Sequence, residues 1–200
     1  GAILSLIPLG NTLSIKTGVV LSMTGLMLSV PEKINAETFK YYFDLAYDKG
    51  NKGDYYGAIS DYTKAININP QFGRAYYNRG WNKARLKDYY GAISDYTKAI
   101  DIDPKYVSSY YNRGWNKEKL KDYYGAISDY NKALEIDPNH KNAYTNRGIS
   151  KTKLKDYYGA ISDYNKALEI DPNNKSAYKN RGVSKRKLKD NYGAISDYNK

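Results

Sequence analysis

The chain has 200 residues, of which 41% are hydrophobic and 26% are charged, and its formal net charge is +11. It contains no cysteine and a single histidine, His140, so a disulfide framework, a thiol nucleophile, a Cys-based metal site, a His-rich metal cluster and a catalytic triad are excluded within these residues. The positive charge favours anionic partners, but basic residues recur along the repeats described below, and a solvated basic face is the simpler interpretation.

The first 36 residues differ in composition from the rest of the chain. Thirteen uncharged residues, 18–30, follow Lys16 and precede the sequence PEKINA, an order similar to that of a secretory signal peptide ending at Ala36. This run is shorter than the roughly 20 apolar residues of a membrane-spanning helix. The segment therefore predicts an exported protein, periplasmic or otherwise extracytoplasmic. A retained anchor, with membrane contact through residues 1–31, and a helix that caps the following repeats are the alternatives.

A short sequence recurs through the remainder of the chain. DYYGAISDY begins at residues 54, 88, 122 and 156, DNYGAISDY begins at residue 190, and every interval is 34 residues. Prolines keep the same interval, at Pro70, Pro104, Pro138 and Pro172. A fixed period of this length is typical of stacked supersecondary units.

Each repeat is predicted to form two amphipathic helices. In one repeat Tyr89, Ala92, Tyr96 and Ala99 follow at intervals of three or four residues and form one apolar stripe. An aspartate precedes each second helix, where its carboxylate can accept hydrogen bonds from the first turn. The proline ends the unit because it cannot donate the next helical hydrogen bond. The predicted capping residues are Asp88, Asp122, Asp156 and Asp190, and the other recurring aspartates are interpreted as surface ion pairs.

One repeated residue conflicts with helix propensity. A glycine near the start of each second helix should cost about 1 kcal/mol relative to alanine, and close backbone packing is its only evident explanation. These residues are Gly57, Gly91, Gly125, Gly159 and Gly193.

The repeats share further positions when residues are counted from the first residue of each unit, which is Phe39, Gly73, Val107, Lys141 or Lys175. Position 4 is aromatic, positions 8 and 20 are small, position 24 is tyrosine, and position 32 is proline in the four complete units. This pattern resembles the tetratricopeptide repeat (TPR) and, together with the signal-like segment, bacterial exported TPR proteins. The tyrosines at positions 4 and 24 are interpreted as core residues.

The resemblance implies an all-α fold, a right-handed α-solenoid of about five stacked helix-turn-helix units. The units are TPR 1 at 37–72, TPR 2 at 73–106, TPR 3 at 107–140, TPR 4 at 141–174 and an incomplete TPR 5 at 175–200, after a signal-like or anchor segment at 1–36. Because Lys200 falls midway through a predicted helix, and solenoid ends need caps, the natural chain is expected to continue.

By the same resemblance, the first helices of the units line a concave groove. Position 6 carries a column of asparagines that looks like the asparagine ladder holding peptide backbones in some family members, since an amide side chain both donates and accepts hydrogen bonds. The column consists of Asn78, Asn112, Asn146 and Asn180. The alternatives are that these residues are solvated or bond the neighbouring repeat.

Two further sets of groove residues are predicted to contact a partner. Trp81 and Trp115 at position 9, with Tyr77 and Tyr111 at position 5, form an aromatic strip that the fourth and fifth units lack. Tryptophan and tyrosine are favoured anchors of interfaces, although a tryptophan can equally pack against the adjacent helix. A basic column at position 13 suits acidic side chains or a carboxylate, and it consists of Arg85, Lys119, Lys153 and Lys187.

The predicted function is a protein–protein interaction scaffold that binds a peptide or helical segment in the groove, without catalysis, cofactor or metal. The alternatives are binding of a polyanionic ligand, in which nucleic acid is disfavoured by export, and the docking arm of an enzyme whose catalytic domain lies beyond residue 200.

Overall fold

The computed structural model describes the backbone of residues 29–200 and the side chains of residues 34–200. Most of the predicted signal segment lies outside the described residues, although Ala36 falls within the first described helix. None of the described helices is long and apolar enough to span a membrane. The helices are α1 (Ser29–Asn51), α2 (Tyr55–Ile68), α3 (Gly73–Arg85), α4 (Tyr89–Ile102), α5 (Val107–Lys119), α6 (Tyr123–Ile136), α7 (Lys141–Lys153), α8 (Tyr157–Ile170), α9 (Lys175–Lys187) and α10 (Asn191–Tyr198).

These helices form five consecutive pairs, called units 1 to 5 here, with α1 and α2 as unit 1 and α9 and α10 as unit 5. Each second helix also packs against the first helix of the next unit. Successive first helices contact one another, whereas among the described residues successive second helices do not. The stack therefore curves with the first helices on its inner wall, and the predicted all-α solenoid is confirmed.

The predicted aspartate caps are confirmed, and they explain the glycines that follow them. In every unit the capping Oδ1 accepts the backbone N–H of the glycine three residues later, at 2.9 Å, for example Asp88 with Gly91. A Cβ atom at Gly91 would lie 2.1 Å from Asp88 Oδ2. Alanine at this position would displace the capping carboxylate, and that cost opposes its higher helix propensity.

The turn between the two helices of each unit requires one residue in the left-handed backbone conformation, with positive φ. Lys121 has φ 65°, its N–H donates to the Glu118 carbonyl, and the Asp122 N–H donates to the Lys117 carbonyl, which together form a Schellman motif. Unit 1 has Gly53 here, with φ 85°, whereas the corresponding residues of units 2, 4 and 5 are also lysines with positive φ. A side chain in this conformation stores strain that glycine lacks.

We expect Lys121→Gly to stabilise the protein by up to about 1 kcal/mol because it relieves this left-handed strain. Lys132→Gly provides the matched control, since Lys132 lies inside α6 and glycine there should cost about 1 kcal/mol. Urea unfolding followed by circular dichroism measures both free energies of unfolding. Destabilisation by both substitutions would contradict the explanation.

The core consists of tyrosines and alanines shared between neighbouring helices. The position-24 tyrosines of units 1 to 4 are at most 1% exposed, as predicted, but Tyr198 in unit 5 is exposed. Their rings pack against the small residue at position 8, so that a Cβ atom at Gly148 would lie 2.7 Å from Tyr164 Cε1. The position-4 tyrosines differ from the prediction because they are only half-buried. In unit 2, for example, the Arg79 guanidinium lies over the Tyr76 ring, 5.5 Å from its centroid.

The interpretation of the other recurring aspartates as surface ion pairs is wrong for those at position 23, although Asp171 does pair with exposed Lys141. Asp129 at position 23 is 3% exposed, and its two oxygens accept Arg113 Nε and Nη2 at 3.0 and 2.7 Å. Lys117 Nζ lies 2.8 Å from the same carboxylate, and Arg113 Nη1 donates to Thr97 of the preceding unit. The arrangement recurs in units 2, 4 and 5. One arginine and one lysine of each of these units therefore belong to buried or half-buried ion pairs and not to a solvated basic face.

Candidate functional site

The inner wall brings together the side chains predicted to bind a partner. The asparagines at position 6 are half-buried, and two of them bond the preceding unit, as the alternative interpretation of this column expected. Asn112 Nδ2 donates to the Tyr77 hydroxyl at 3.0 Å, and Asn146 Nδ2 donates to the Tyr111 hydroxyl at 3.0 Å. Asn180 instead donates to the Ser176 carbonyl of its own helix at 2.9 Å. The position-5 tyrosines of units 2 and 3 thus hold two members of the asparagine column, Asn112 and Asn146, in place.

The two tryptophans lie against the preceding unit and still reach the surface of the groove. Trp81 packs edge-on against Tyr55, with ring centroids 6.1 Å apart, and remains 38% exposed. Trp115 packs in the same way on Tyr89, with centroids 6.2 Å apart. The position-13 cations cover the indoles, since the Arg85 guanidinium lies 5.6 Å from the Trp81 centroid and Lys119 Nζ lies 4.7 Å from the Trp115 centroid. Such stacking pre-orders the tryptophans before any partner arrives.

Two cavities open on the inner wall beside these tryptophans. The first cavity, of about 170 Å³, lies between units 1 and 2 and is lined by Tyr47, Gly50, Asn51, Tyr62, Tyr77, Asn78, Trp81 and Asn82. The second cavity, of about 420 Å³, lies between units 2 and 3 and is lined by Trp81, Ala84, Arg85, Lys87, Tyr89, Tyr96, Tyr111, Asn112, Trp115 and Asn116. Seven unit positions recur in both linings, so the cavities are two copies of one site.

Positions 10 and 12 determine where there is space for these cavities. In units 1 and 2, position 12 holds the small residues Gly50 and Ala84, which line the two cavities. In unit 3 the same position is Glu118, whose Oε2 accepts a hydrogen bond from Ser150 Oγ of unit 4 at 3.2 Å. In unit 4 it is Thr152, whose hydroxyl is hydrogen-bonded to Tyr164 and to Ser184 of unit 5. The larger side chains thus bridge consecutive units where the first two leave room.

Sequence reasoning missed this division of the groove, although a signal for it was present. Position 10 carries Asn82 and Asn116 next to the small position-12 residues, but Ser150 and Ser184 next to the large ones. Both asparagines are buried, and their Nδ2 atoms donate to the position-6 carbonyl one turn earlier, at 2.7 Å. The two positions therefore change together between the halves of the chain.

Two tyrosine hydroxyls that line the cavities, those of Tyr62 and Tyr96, remain neutral. Burial raises the pKa of Tyr62 in the first cavity to about 12, despite the opposing effect of Asn78. Burial also raises the pKa of Tyr96 in the second cavity. Each hydroxyl therefore remains protonated at neutral pH and can donate a hydrogen bond.

The opposite end of the inner wall is strongly basic. Residues 175–200 contain eight lysines and arginines but two aspartates, whereas residues 39–72 contain four lysines and four aspartates. Within unit 5, Arg181 and Lys185 pair with Asp197. Four other cations of α9 are exposed and form no ion pair with the described residues. Three of them, at positions 5, 12 and 13, are called the basic end: Lys179, Arg186 and Lys187.

Glu118 is a half-buried acid on the inner wall, and its titration can be measured. Burial raises its pKa above the ordinary 4.5, although Ser150 and nearby lysines act in the other direction. The folded protein therefore holds this proton more tightly than the unfolded chain does, and the ionised form at neutral pH destabilises the fold.

We expect Glu118→Gln to be more stable than the parent protein at pH 7, because the amide removes a half-buried negative charge while its oxygen can still accept from Ser150. The difference should disappear as the pH falls below the ordinary pKa, where Glu118 is protonated in both the folded and unfolded states. Urea unfolding at pH 7 and at pH 3.5 (roughly one unit below the ordinary value) measures the difference in free energy of unfolding between the variant and the parent protein. A Gln variant that is less stable at pH 7 would contradict the expected sign.

The comparisons with known proteins agree with this architecture. One family model described as tetratricopeptide repeat matches residues 39–72, and a second of the same description matches 73–106, 107–140 and 142–174. No curated protein matches the sequence significantly.

Several solved structures have a similar fold. A crystal structure of MamA superposes with a TM-score of 0.78 at 23% identity, covering 82% of this chain and 90% of that chain. YrrB, described as a TPR protein with an unusual peptide-binding site, has a TM-score of 0.72 at 21% identity and coverages of 84% and 87%. PilF of Pseudomonas aeruginosa has a TM-score of 0.72 at 20% identity and coverages of 82% and 75%. These identities show the fold alone, but together with the family models they establish that the chain belongs to the tetratricopeptide-repeat family, whose fold is a protein–protein interaction scaffold.

Proposed function

We propose that the protein binds an extended segment of another protein along its inner wall. The observation that carries this proposal is the pair of equivalent cavities beside Trp81 and Trp115, which offers side-chain pockets at an interval of one unit. Pockets at regular spacing, flanked by groups that bond a backbone, are the usual means of binding extended peptides. The description of YrrB as a peptide-binding TPR protein is consistent with this use of the fold.

The asparagine column supports backbone recognition. Although Asn112 and Asn146 use their amide N–H groups to bond tyrosines of the preceding unit, their side-chain oxygens make no hydrogen bond with the described residues. Each oxygen can accept an N–H from a bound peptide irrespective of its side chains. The bond to tyrosine orients the amide in advance, which lowers the entropic cost of binding. The signal-like order of residues 16–36 is the reason to propose that this binding takes place outside the cytoplasm.

The test is the double substitution Trp81→Ala, Trp115→Ala. Peptides selected from a displayed random library on the parent protein serve as probes, and their affinities for the parent and variant are measured by calorimetry. Because buried tryptophan anchors commonly contribute 2 kcal/mol or more, we expect the affinity to fall by at least about 30-fold. Circular dichroism and the urea midpoint establish that the variant is folded.

Ala84→Leu is a second variant that removes no contact of the parent protein. The larger side chain should fill part of the second cavity and weaken binding, whereas Ser128→Leu, at an exposed position of α6 on the outer wall, should leave binding unchanged. Unchanged peptide affinity in both the double tryptophan variant and Ala84→Leu would exclude the inner wall as the binding site.

A further inference from the structure

The inner wall has two chemically different halves. Its first half, between units 1 and 3, contains the two cavities, and the first cavity has no charged residue in its lining. Its volume of about 170 Å³ is close to that of the roughly 150 Å³ engineered cavity that accepts benzene, so one large apolar side chain suits it. Tyrosine, tryptophan and asparagine side chains supply its walls, which is the usual composition of a pocket for an apolar group with a polar edge.

Unit 5, in the second half, places cations at two positions where the cavities of the first half have uncharged residues. Lys179 is at position 5, as are Tyr77 and Tyr111, and Arg186 is at position 12, as are Gly50 and Ala84. Lys187 follows at position 13. The basic end therefore belongs to the same continuous wall as the cavities and not to a separate face of the molecule.

Glu118 separates these halves. Its carboxylate bridges to Ser150, and it lies near enough to Lys119 and Lys153 for both cations to favour its ionised form. It therefore partly offsets the cations at the middle of the wall. The excess of positive charge is largest in unit 5, where eight lysines and arginines stand against two aspartates and the basic end forms no ion pair with residues 34–200.

We propose that the bound segment is bipartite, with two large apolar or aromatic side chains that enter the two cavities and a cluster of acidic side chains that contacts the basic end. This inference rests on the proposed function and adds the chemistry of the partner. Apolar side chains provide most of the affinity because they are desolvated beside the tryptophans. The acidic cluster sets the orientation of the segment and speeds association, as complementary charges at an interface do.

The experiment uses the displayed random peptides selected on the parent chain. We expect the selected sequences to share two large apolar residues at one end and several Asp or Glu residues at the other. One such peptide is then synthesised in two forms, with its acidic residues intact and with each replaced by Asn or Gln, and the affinity of both forms is measured at low salt.

The matching protein variant reverses the charge of the basic end by three substitutions: Lys179→Glu, Arg186→Glu and Lys187→Glu. Its control, Lys98→Glu, Lys132→Glu and Lys166→Glu, changes the net charge equally on exposed positions of the second helices. The acidic peptide should bind the basic-end variant at least about tenfold more weakly than the control variant, since three exposed charge pairs with the peptide are lost. The amide peptide should not distinguish the two variants.

The remaining outcomes separate this inference from the proposed function. Peptides that depend on Trp81 and Trp115 but lack acidic residues, or that bind both charge variants equally, would overturn the bipartite partner and leave the groove as a peptide site. Acidic peptides that bind independently of both tryptophans would overturn both proposals and favour a polyanion instead. If the library yields no peptide that binds through the inner wall, both proposals are wrong.

Discussion

Arg113→Ala is expected to destabilise the protein by about 3 kcal/mol, because it leaves the buried Asp129 carboxylate without its bidentate partner. The cost lies at the low end of the usual range for breaking buried pairs, since Lys117 Nζ still lies 2.8 Å from Asp129 Oδ2. The substitution also removes the hydrogen bond from Arg113 Nη1 to Thr97, so the junction between units 2 and 3 is weakened as well. Urea unfolding monitored at 222 nm (the far-ultraviolet helix signal) measures the effect.

Lys132→Ala is the matched control for the arginine substitution. Lys132 forms an ion pair with Glu135 at 2.6 Å, but both side chains are more than half exposed. Exposed pairs of this kind contribute about 0.3–0.5 kcal/mol on a helix. If the two alanine variants unfold at the same urea concentration, the buried network does not stabilise the stack.

The acid dependence of the ion pairs has a definite sign. Burial tends to raise the pKa of Asp197, but the hydrogen bonds from Arg181 and Lys185 outweigh it, and the pKa is lowered from its ordinary 3.8. The pair therefore contributes its full stability above the ordinary pKa and loses it as the pH falls through the lower folded value.

Tyr130→Ala has the second large expected effect, a loss of about 3–5 kcal/mol, as for other large aromatic residues deleted from a core. Tyr130 is fully buried, its ring meets Tyr111 at 5.9 Å, and it belongs to a cluster that includes Ala143 of the next unit. Its removal leaves a cavity between units 3 and 4. Because each unit of a solenoid is stabilised by its neighbours, we expect the unfolding transition to become broader as well as earlier.

Tyr124→Ala is the control for the core tyrosine, since the same residue type on the same helix is 76% exposed. Its substitution should change the free energy of unfolding by less than about 0.5 kcal/mol. A similar loss of stability in the Tyr124 and Tyr130 variants would show that burial does not set the contribution of these tyrosines.

The repeats explain why so much of the fold could be predicted. The interval of 34 residues, the alternating apolar stripes, the aspartate caps and the terminal prolines are local features, and each specifies a helix, its start or its end without reference to distant residues. The five helix pairs and the buried position-24 tyrosines of units 1 to 4 follow from them. Unit 1 shows the limit of the repetition, because Leu45 stands where the other units have arginine and Asp61 pairs with Lys49 and Lys64 instead.

The candidate site was predicted only in part. The sequence singled out Trp81 and Trp115 because they interrupt the repetition, and the structure places them beside the two cavities. The sequence did not reveal that Gly50 and Ala84 leave space in the wall or that Glu118 bridges two units, because the position-10 residues that they contact lie in the next unit. Contacts between residues some 32 positions apart become visible only when the units are stacked.

The sequence by itself determined the family, the helix pairs, their caps and the residues in which the units differ, since these depend on local spacing and on repetition. Only the tertiary structure decided which charges are buried and where the groove is open. The aspartates at positions 16 and 23 are the same residue type in the same repeat, yet one caps a helix in solvent and the other binds arginine in the interior. The physical reason is that desolvation and available volume depend on what packs against a side chain, and here much of that packing comes from other helices of the stack.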